Sequence, residues 1–339
     1  MDIKKREVSF DLIRLVAIAL VLLCHIIAMG IFTIDTSIAN MILLDSFFHL
    51  GVPLFFMLSG AFSLKSYIPR REFYKKKLSK FIVPFVFWNI FYMCLFEVSN
   101  VTEYFMFDDF SFRKLFNLVY ISFYPWYHLW FLNCLFILYF LSPFLSRLVR
   151  NEKFKKFFMG FVVLYVVLDF LQINILNIHF YFSLSYLMYF ILGYYLANMN
   201  LKRYRVGLFA LFVCVFYFLF SVKNSLEQFY LEYGFREFAA YYLSYARWYF
   251  IILSSLFFAI MLSFNWEKIL RVKVEKVILA LASLTFGVYL VHPLFIQVLR
   301  ILTNKYGEFP GIVVLSVVFV GSFLFTFMVK KIKYVRNIV

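Results

Sequence analysis

Acidic residues are scarce in this chain, where 18 Asp and Glu stand against 34 Lys and Arg in 339 residues and all charged residues together make up 15%. A chain so poor in charge, 64% hydrophobic and with a mean hydropathy of +0.86, lacks the polar surface that a soluble globule needs. Glycine (11) and proline (7) are few as well, and no Gly/Ser linker or low-complexity tract divides the chain. The four cysteines, Cys24, Cys94, Cys134 and Cys214, all fall inside apolar runs without paired spacing. That excludes a disulfide framework and a CxxC metal site, and no metal is expected. Cys24 beside His25 does not read as a nucleophile and its base, because adjacent helical residues do not share a face.

What is present is apolar length. Crossing the hydrocarbon takes about 20 mostly apolar residues per helix, and ten such segments can be read: 10–32, 47–64, 81–98, 127–149, 157–174, 180–199, 206–222, 246–264, 278–299 and 311–329. The fold class is therefore all-α, a polytopic membrane bundle of about ten helices, and residues 1–339 form a single membrane domain with no soluble domain. No internal repeat of five helices is visible.

Charge orients the bundle. The stretches 4–6, 65–80, 147–156, 202–205, 268–276 and 330–336 lie on alternate connections and hold most of the basic residues. The positive-inside rule puts those connections, and both termini, in the cytoplasm. The net charge of +16 is thus spread over membrane-flanking loops, so no nucleic-acid partner is implied. Aromatic residues make up 24% of the chain. Clusters such as Trp126-Tyr127 and Trp248-Tyr249 at segment ends read as interfacial anchors. The long outer connection between Glu97 and Tyr127 reads as an interfacial helix or a cap over an outward cavity.

The first segment carries three residues that hydrocarbon disfavours: Asp11, Arg14 and His25. At about 100° per residue Arg14 and His25 lie within roughly 20° of each other, about 16 Å apart along one face, and Asp11 falls near it. Ionisable residues inside a membrane helix face a protein interior or a watery cavity and are functional candidates by default. In the ninth segment Thr285, Tyr289 and His292 form another stripe at i, i+4, i+7. His25 and His292 reach similar depth, about 22 and 21 Å from the inner ends of their segments. Asp169, in the fifth segment, has no motif and is expected to pair inside the bundle. Ser59-Gly60 reads as a close-packing pair rather than a nucleophile.

All five histidines lie toward the outer side, whereas phosphate-compatible cations crowd the inner one. That polarity suits an enzyme that takes a phosphorylated donor from the cytoplasm and modifies an acceptor near the outer surface. Arg14, Lys77 and Lys80 are the candidate cations for such a donor.

Four blocks carry a family resemblance. Ser9-Phe-Asp11-Leu-Ile-Arg14 followed by His25, then Gly51-Val-Pro53-Leu-Phe-Phe-Met-Leu-Ser59-Gly60, His128-Leu-Trp130-Phe131-Leu132 and Ser283-Leu-Thr-Phe-Gly287-Val-Tyr289-Leu-Val-His292-Pro293 occur in this order along nearly the whole chain. They resemble the blocks of the bacterial acyltransferase family 3, and among its members the stand-alone surface-polysaccharide O-acetyltransferases. The resemblance implies a multi-pass protein of the bacterial cytoplasmic (inner) membrane. It would move acetyl from acetyl-CoA to a hydroxyl of a surface glycan or its lipid-linked precursor.

On that reading His25, Arg14, Asp11 and His292 are the catalytic set, and Arg14, Lys77 and Lys80 hold the acyl-CoA. His128, Trp130 and Tyr289 face the acceptor. The chain departs from many members in carrying lysines at 77 and 80 where they carry arginines. A transporter or exporter of glycans or small solutes is the alternative that ten helices with a charged stripe also suit.

Overall fold

The computed structural model describes residues 8–28, 38–65, 70–75, 79–96, 126–171, 178–222, 227–228, 230–232, 244–333 and 335–339. Among them regular structure is helical throughout, with no strand. The principal helices are α1 (Val8–Ala28), α2 (Ile38–Phe48), α3 (Gly51–Lys65), α4 (Ser79–Phe96), α5 (Trp130–Leu148), α6 (Glu152–Phe170), α7 (Ile178–Ala197), α8 (Arg205–Ser221), α9 (Trp248–Ser263), α10 (Val272–Ala282), α11 (Thr285–Tyr306) and α12 (Gly311–Lys331). Among the described residues, six stretches are long and apolar enough to cross a membrane: Val8–Ala28, Leu43–Lys65, Trp130–Leu148, Lys202–Ser221, Thr285–Tyr306 and Gly311–Lys331. Shorter apolar helices span Phe81–Tyr92, Leu184–Ala197 and Trp248–Ser263. The connection 97–125, expected to cap the outer side, lies outside the described residues.

In its described residues each of the ten apolar segments falls mainly on helix, but the second crosses the turn at His49 and Leu50 and the ninth is broken near its start. Residues 278–299 were expected to form one span, whereas the chain turns at Ser283 and Leu284, so that α10 ends at Ala282 and α11 starts at Thr285. The cause is local. The Ser283 hydroxyl donates to the Ala280 carbonyl at 2.6 Å and the Thr285 hydroxyl to the Ala282 carbonyl at 2.9 Å, so side chains take acceptors at the helix end. The Leu284 amide tightens to the Leu281 carbonyl at 2.9 Å, and Lys330 donates to the carbonyl of Ser283. Helix α10 buries only Ile278 and Ala282, and it exposes charged and apolar residues alike.

The core sits around α1 and α3, whose buried residues run nearly all the way round each helix, the pattern of elements enclosed by others. Helix α3 crosses α7 at very close range, because Gly60 and Gly193 face the opposing backbone. A Cβ at Gly60 would stand 1.7 Å from the Phe190 carbonyl oxygen, and one at Gly193 would stand 2.0 Å from that of Met57. Small residues let membrane helices approach this closely, so Gly60 has the packing role its sequence context suggested.

At the periphery α8 buries Leu219 alone, and α12 buries one stripe of Val314, Val318, Ser322 and Thr326. Asp169 does find a partner: it accepts from the Arg247 guanidinium at 2.9 Å and from the Trp248 amide at 2.7 Å. One carboxylate thus joins the end of α6 to the first turn of α9, where helix amides lack intrahelical acceptors.

Candidate active site

Helix α1 presents its polar stripe to the centre of the bundle. Asp11 is fully buried and pairs with Arg14 one turn on, while the Arg14 side chain keeps 26% of its surface exposed. Its guanidinium also lies over the Phe62 ring, 4.9 Å from the centroid. Arg14 borders a cavity of about 490 Å³ enclosed by α1, α3, α4, α5 and α11. Phe55, Phe62, Phe81, Phe131 and Phe286 supply apolar walls, and Ser59, Tyr139 and Thr285 supply hydroxyls. Tyr289 is on the same wall and touches the histidines.

There α1 meets α11. His25 Nδ1 lies 2.7 Å from His292 Nε2, with the two rings at an interplanar angle of 3° and centroids 5.0 Å apart. Parallel rings with so short a nitrogen separation lie edge to edge in nearly one plane, the geometry of a linear hydrogen bond rather than a face-to-face stack.

Which nitrogen donates follows from the other end of His292. Its Nδ1 is 2.7 Å from the Tyr289 carbonyl and 3.2 Å from that of Val288. A carbonyl only accepts, so Nδ1 carries the proton. The Tyr289 carbonyl is free for this bond because its helical partner would be the amide of residue 293, which is a proline. A neutral His292 therefore presents a lone pair at Nε2, and His25 Nδ1–H donates to it. Two neutral rings are favoured over a charged one in so apolar a setting. The Nε2 of His25 is left with its lone pair, the form a general base requires.

His128 joins the same cluster, its ring 5.6 Å from that of His292 and edge-on to Tyr92 at 5.0 Å. It is 1% exposed, and neither ring nitrogen has a hydrogen-bond partner among the described residues. Buried polar atoms without partners cost about 1–3 kcal/mol each, a cost that a bound ligand's hydroxyl would relieve. Tyr289 has a narrower part than its stripe suggested. Its hydroxyl donates to the His128 carbonyl, so its one proton is committed to holding the turn before α5.

Trp130 packs against Tyr186 and Tyr245, at 5.3 and 5.7 Å, and does not border the cavity. Lys77 lies outside the described residues. Lys80 stands in the first turn of α4, its side chain outside the described set.

Several participants escaped the sequence reading. Tyr127, read as an interfacial anchor, sets its ring edge-on to His25 at 5.2 Å. Trp126 stacks on Tyr92 at 6.1 Å, and Tyr92 donates to the Leu290 carbonyl at 2.7 Å. The turn at 126–129 folds these rings inward beneath His128, which hydropathy does not report. Pro293 stood in plain view after His292, where a missing amide one turn downstream of Tyr289 was the available signal.

A search of curated proteins and a search of solved structures each found no match. The acyltransferase 3 family model, described as an acyltransferase domain, matches residues 7–331. That span takes in Arg14, His25, His128 and His292, and with them every block of the resemblance, so the chain belongs to the acyltransferase 3 family.

Proposed function

We propose that this multi-pass membrane acyltransferase is an O-acetyltransferase of the bacterial cytoplasmic membrane, crossing it ten times with both termini inside. It would carry acetyl from acetyl-CoA, bound on the cytoplasmic side, to a hydroxyl of a cell-surface polysaccharide or its lipid-linked precursor. On the reading of its sequence blocks its nearest counterpart would be the enterobacterial common antigen O-acetyltransferase, which would make a glycan of that kind the first acceptor to test.

The His25–His292 hydrogen bond, with its proton on His25 Nδ1, is the observation that carries the reading. His25 Nε2 accepts the proton of the acceptor hydroxyl as the oxygen attacks the thioester carbonyl. The carbon–sulfur bond then breaks, and the departing CoA thiolate takes the proton back from His25. His292 acts through His25 as a positioning residue: it fixes the tautomer and strengthens its hydrogen bond as the imidazolium forms. General base catalysis of this kind contributes about 10² to 10⁴ in rate.

Arg14, held by Asp11, faces the donor, with Lys77 and Lys80 as further cations toward its phosphates. A guanidinium at the border of an aromatic-walled cavity supports that assignment, since it offers charge to the phosphorylated part and an apolar wall to the acyl-bearing arm. His128, with both nitrogens unpartnered, faces the acceptor or the developing oxyanion. The test is acetyl transfer by the purified protein supplied with labelled acetyl-CoA and membrane glycan, with NMR of surface glycan from a deletion strain to read lost O-acetyl groups. His25→Ala is expected to lower turnover at least 10²-fold; normal turnover in that variant would refute the mechanism.

A further inference from the structure

One cluster of chemically reactive side chains lies outside the acyl-transfer machinery. Cys24, next to His25 in α1 and not among the residues lining the cavity, meets Asp45 and His49 at the corner where α2 passes into α3. One ligand atom from each of the three lies within 4.8 Å of the other two. Cys24 Sγ stands 3.6 Å from His49 Nδ1 and 3.7 Å from Nε2. Cys24 is buried, and the Asp45 and His49 side chains are each 13% exposed.

We infer that Cys24, Asp45 and His49 form a binding site for a borderline-soft divalent metal ion, Zn²⁺ foremost. The first argument is the internal bonding of His49. Its Nδ1 donates to the Asp45 carbonyl at 2.8 Å, and a metal-bound histidine characteristically donates its second ring nitrogen to a backbone carbonyl in this way, which reserves Nε2 for the metal. The second is spacing. Tetrahedral Zn²⁺ with a thiolate at about 2.3 Å and an imidazole at about 2.0 Å sets those ligand atoms about 3.5 Å apart. The sulfur and Nε2 are 3.7 Å apart. The third is Asp45, whose Oδ1 is buried without a hydrogen-bond partner among the described residues and stands 3.4 Å from the His49 ring. A dication with one thiolate and one carboxylate sums to zero charge, the favourable balance for a site this enclosed.

The same three residue types also make up a nucleophilic triad, and geometry argues against that use. The thiol stands at nearly equal distances from both ring nitrogens rather than aligning on Nε2. Bound by these three ligands with a fourth position open, the ion would tie the His25 end of α1 to the α2–α3 corner.

The test uses the full-length, tag-free protein in detergent. After chelator treatment and gel filtration, Zn²⁺ alone is titrated and its stoichiometry measured, and Co²⁺ is used as the spectroscopic probe. The expected result is about one Zn²⁺ per chain and a Co²⁺ complex with a near-ultraviolet thiolate charge-transfer band. Cys24→Ser should lose the band, and His49→Gln should weaken Zn²⁺ binding. Absence of tight Zn²⁺ binding by the unmodified protein, a Co²⁺ complex without the thiolate band, or full retention of the site in Cys24→Ser overturns the proposal. The first two readings need no variant to fold.

Discussion

The proton on His25 is placed by a residue that touches neither substrate nor His25 itself. Pro293 withholds an amide from the Tyr289 carbonyl, His292 Nδ1 takes that carbonyl, and the tautomer of both rings follows. Pro293→Ala restores a competing helical amide without cost to α11, since alanine is the better helix residue. Its expected effect is a fall in kcat of roughly ten- to a hundredfold, the range seen when a histidine's orienting partner is lost. KM for acetyl-CoA should stay within about twofold, and the pH dependence of kcat should change, because the donor site is untouched while the base is not. Steady-state kinetics across pH on the purified variant check this; a drop confined to KM would contradict it. At this scale the sequence told the face on which residues lie and was silent about their partners. Helical periodicity put Arg14 and His25 on one face, but that Tyr127 borders His25 is a fact of the tertiary fold, and no spacing within one helix contains it.

Among the elements, the decisive contacts are those where backbone meets backbone. Gly60 and Gly193 bring α3 and α7 within a distance at which any added carbon overlaps a carbonyl group, and neither helix can yield without disturbing the wall that carries Ser59. Overpacking usually costs about 1–3 kcal/mol; with rigid backbone as the obstacle, Gly60→Val is expected to exceed that and to remove the monodisperse peak in detergent gel filtration. The α6–α9 link is the electrostatic counterpart. Asp169→Ala leaves Arg247, which is largely buried, without its carboxylate, a loss of the kind that costs about 3–5 kcal/mol. It should appear as a lowered Tm in a thermal-shift measurement, with kcat preserved below the transition. The ten apolar runs were legible as helices because each is long. The break between α10 and α11 was not, because Ser283 and Thr285 are too mild to interrupt a hydropathy average while their hydroxyls suffice to end a helix.

For the whole molecule, the proposed orientation makes a direct statement about sidedness. Reporter fusions within residues 223–243 should read external, and fusions within 66–69 should read cytoplasmic; the opposite pattern would invert the proposed path of acetyl. Charge asymmetry between loops is the ground for proposing this orientation, and it depends only on counting. The assembly of the site depends on long-range order instead: His25 and His292 are 267 positions apart in the chain. Arg14 has its carboxylate a single turn away, so the emerging first helix carries its own neutralisation into the bilayer. His25 must wait for nearly the entire polypeptide to be made before its orienting partner arrives. On the proposed mechanism the first helix would therefore stay inert until α11 inserts, and ribosome-bound fragments ending before His292 would lack a poised base.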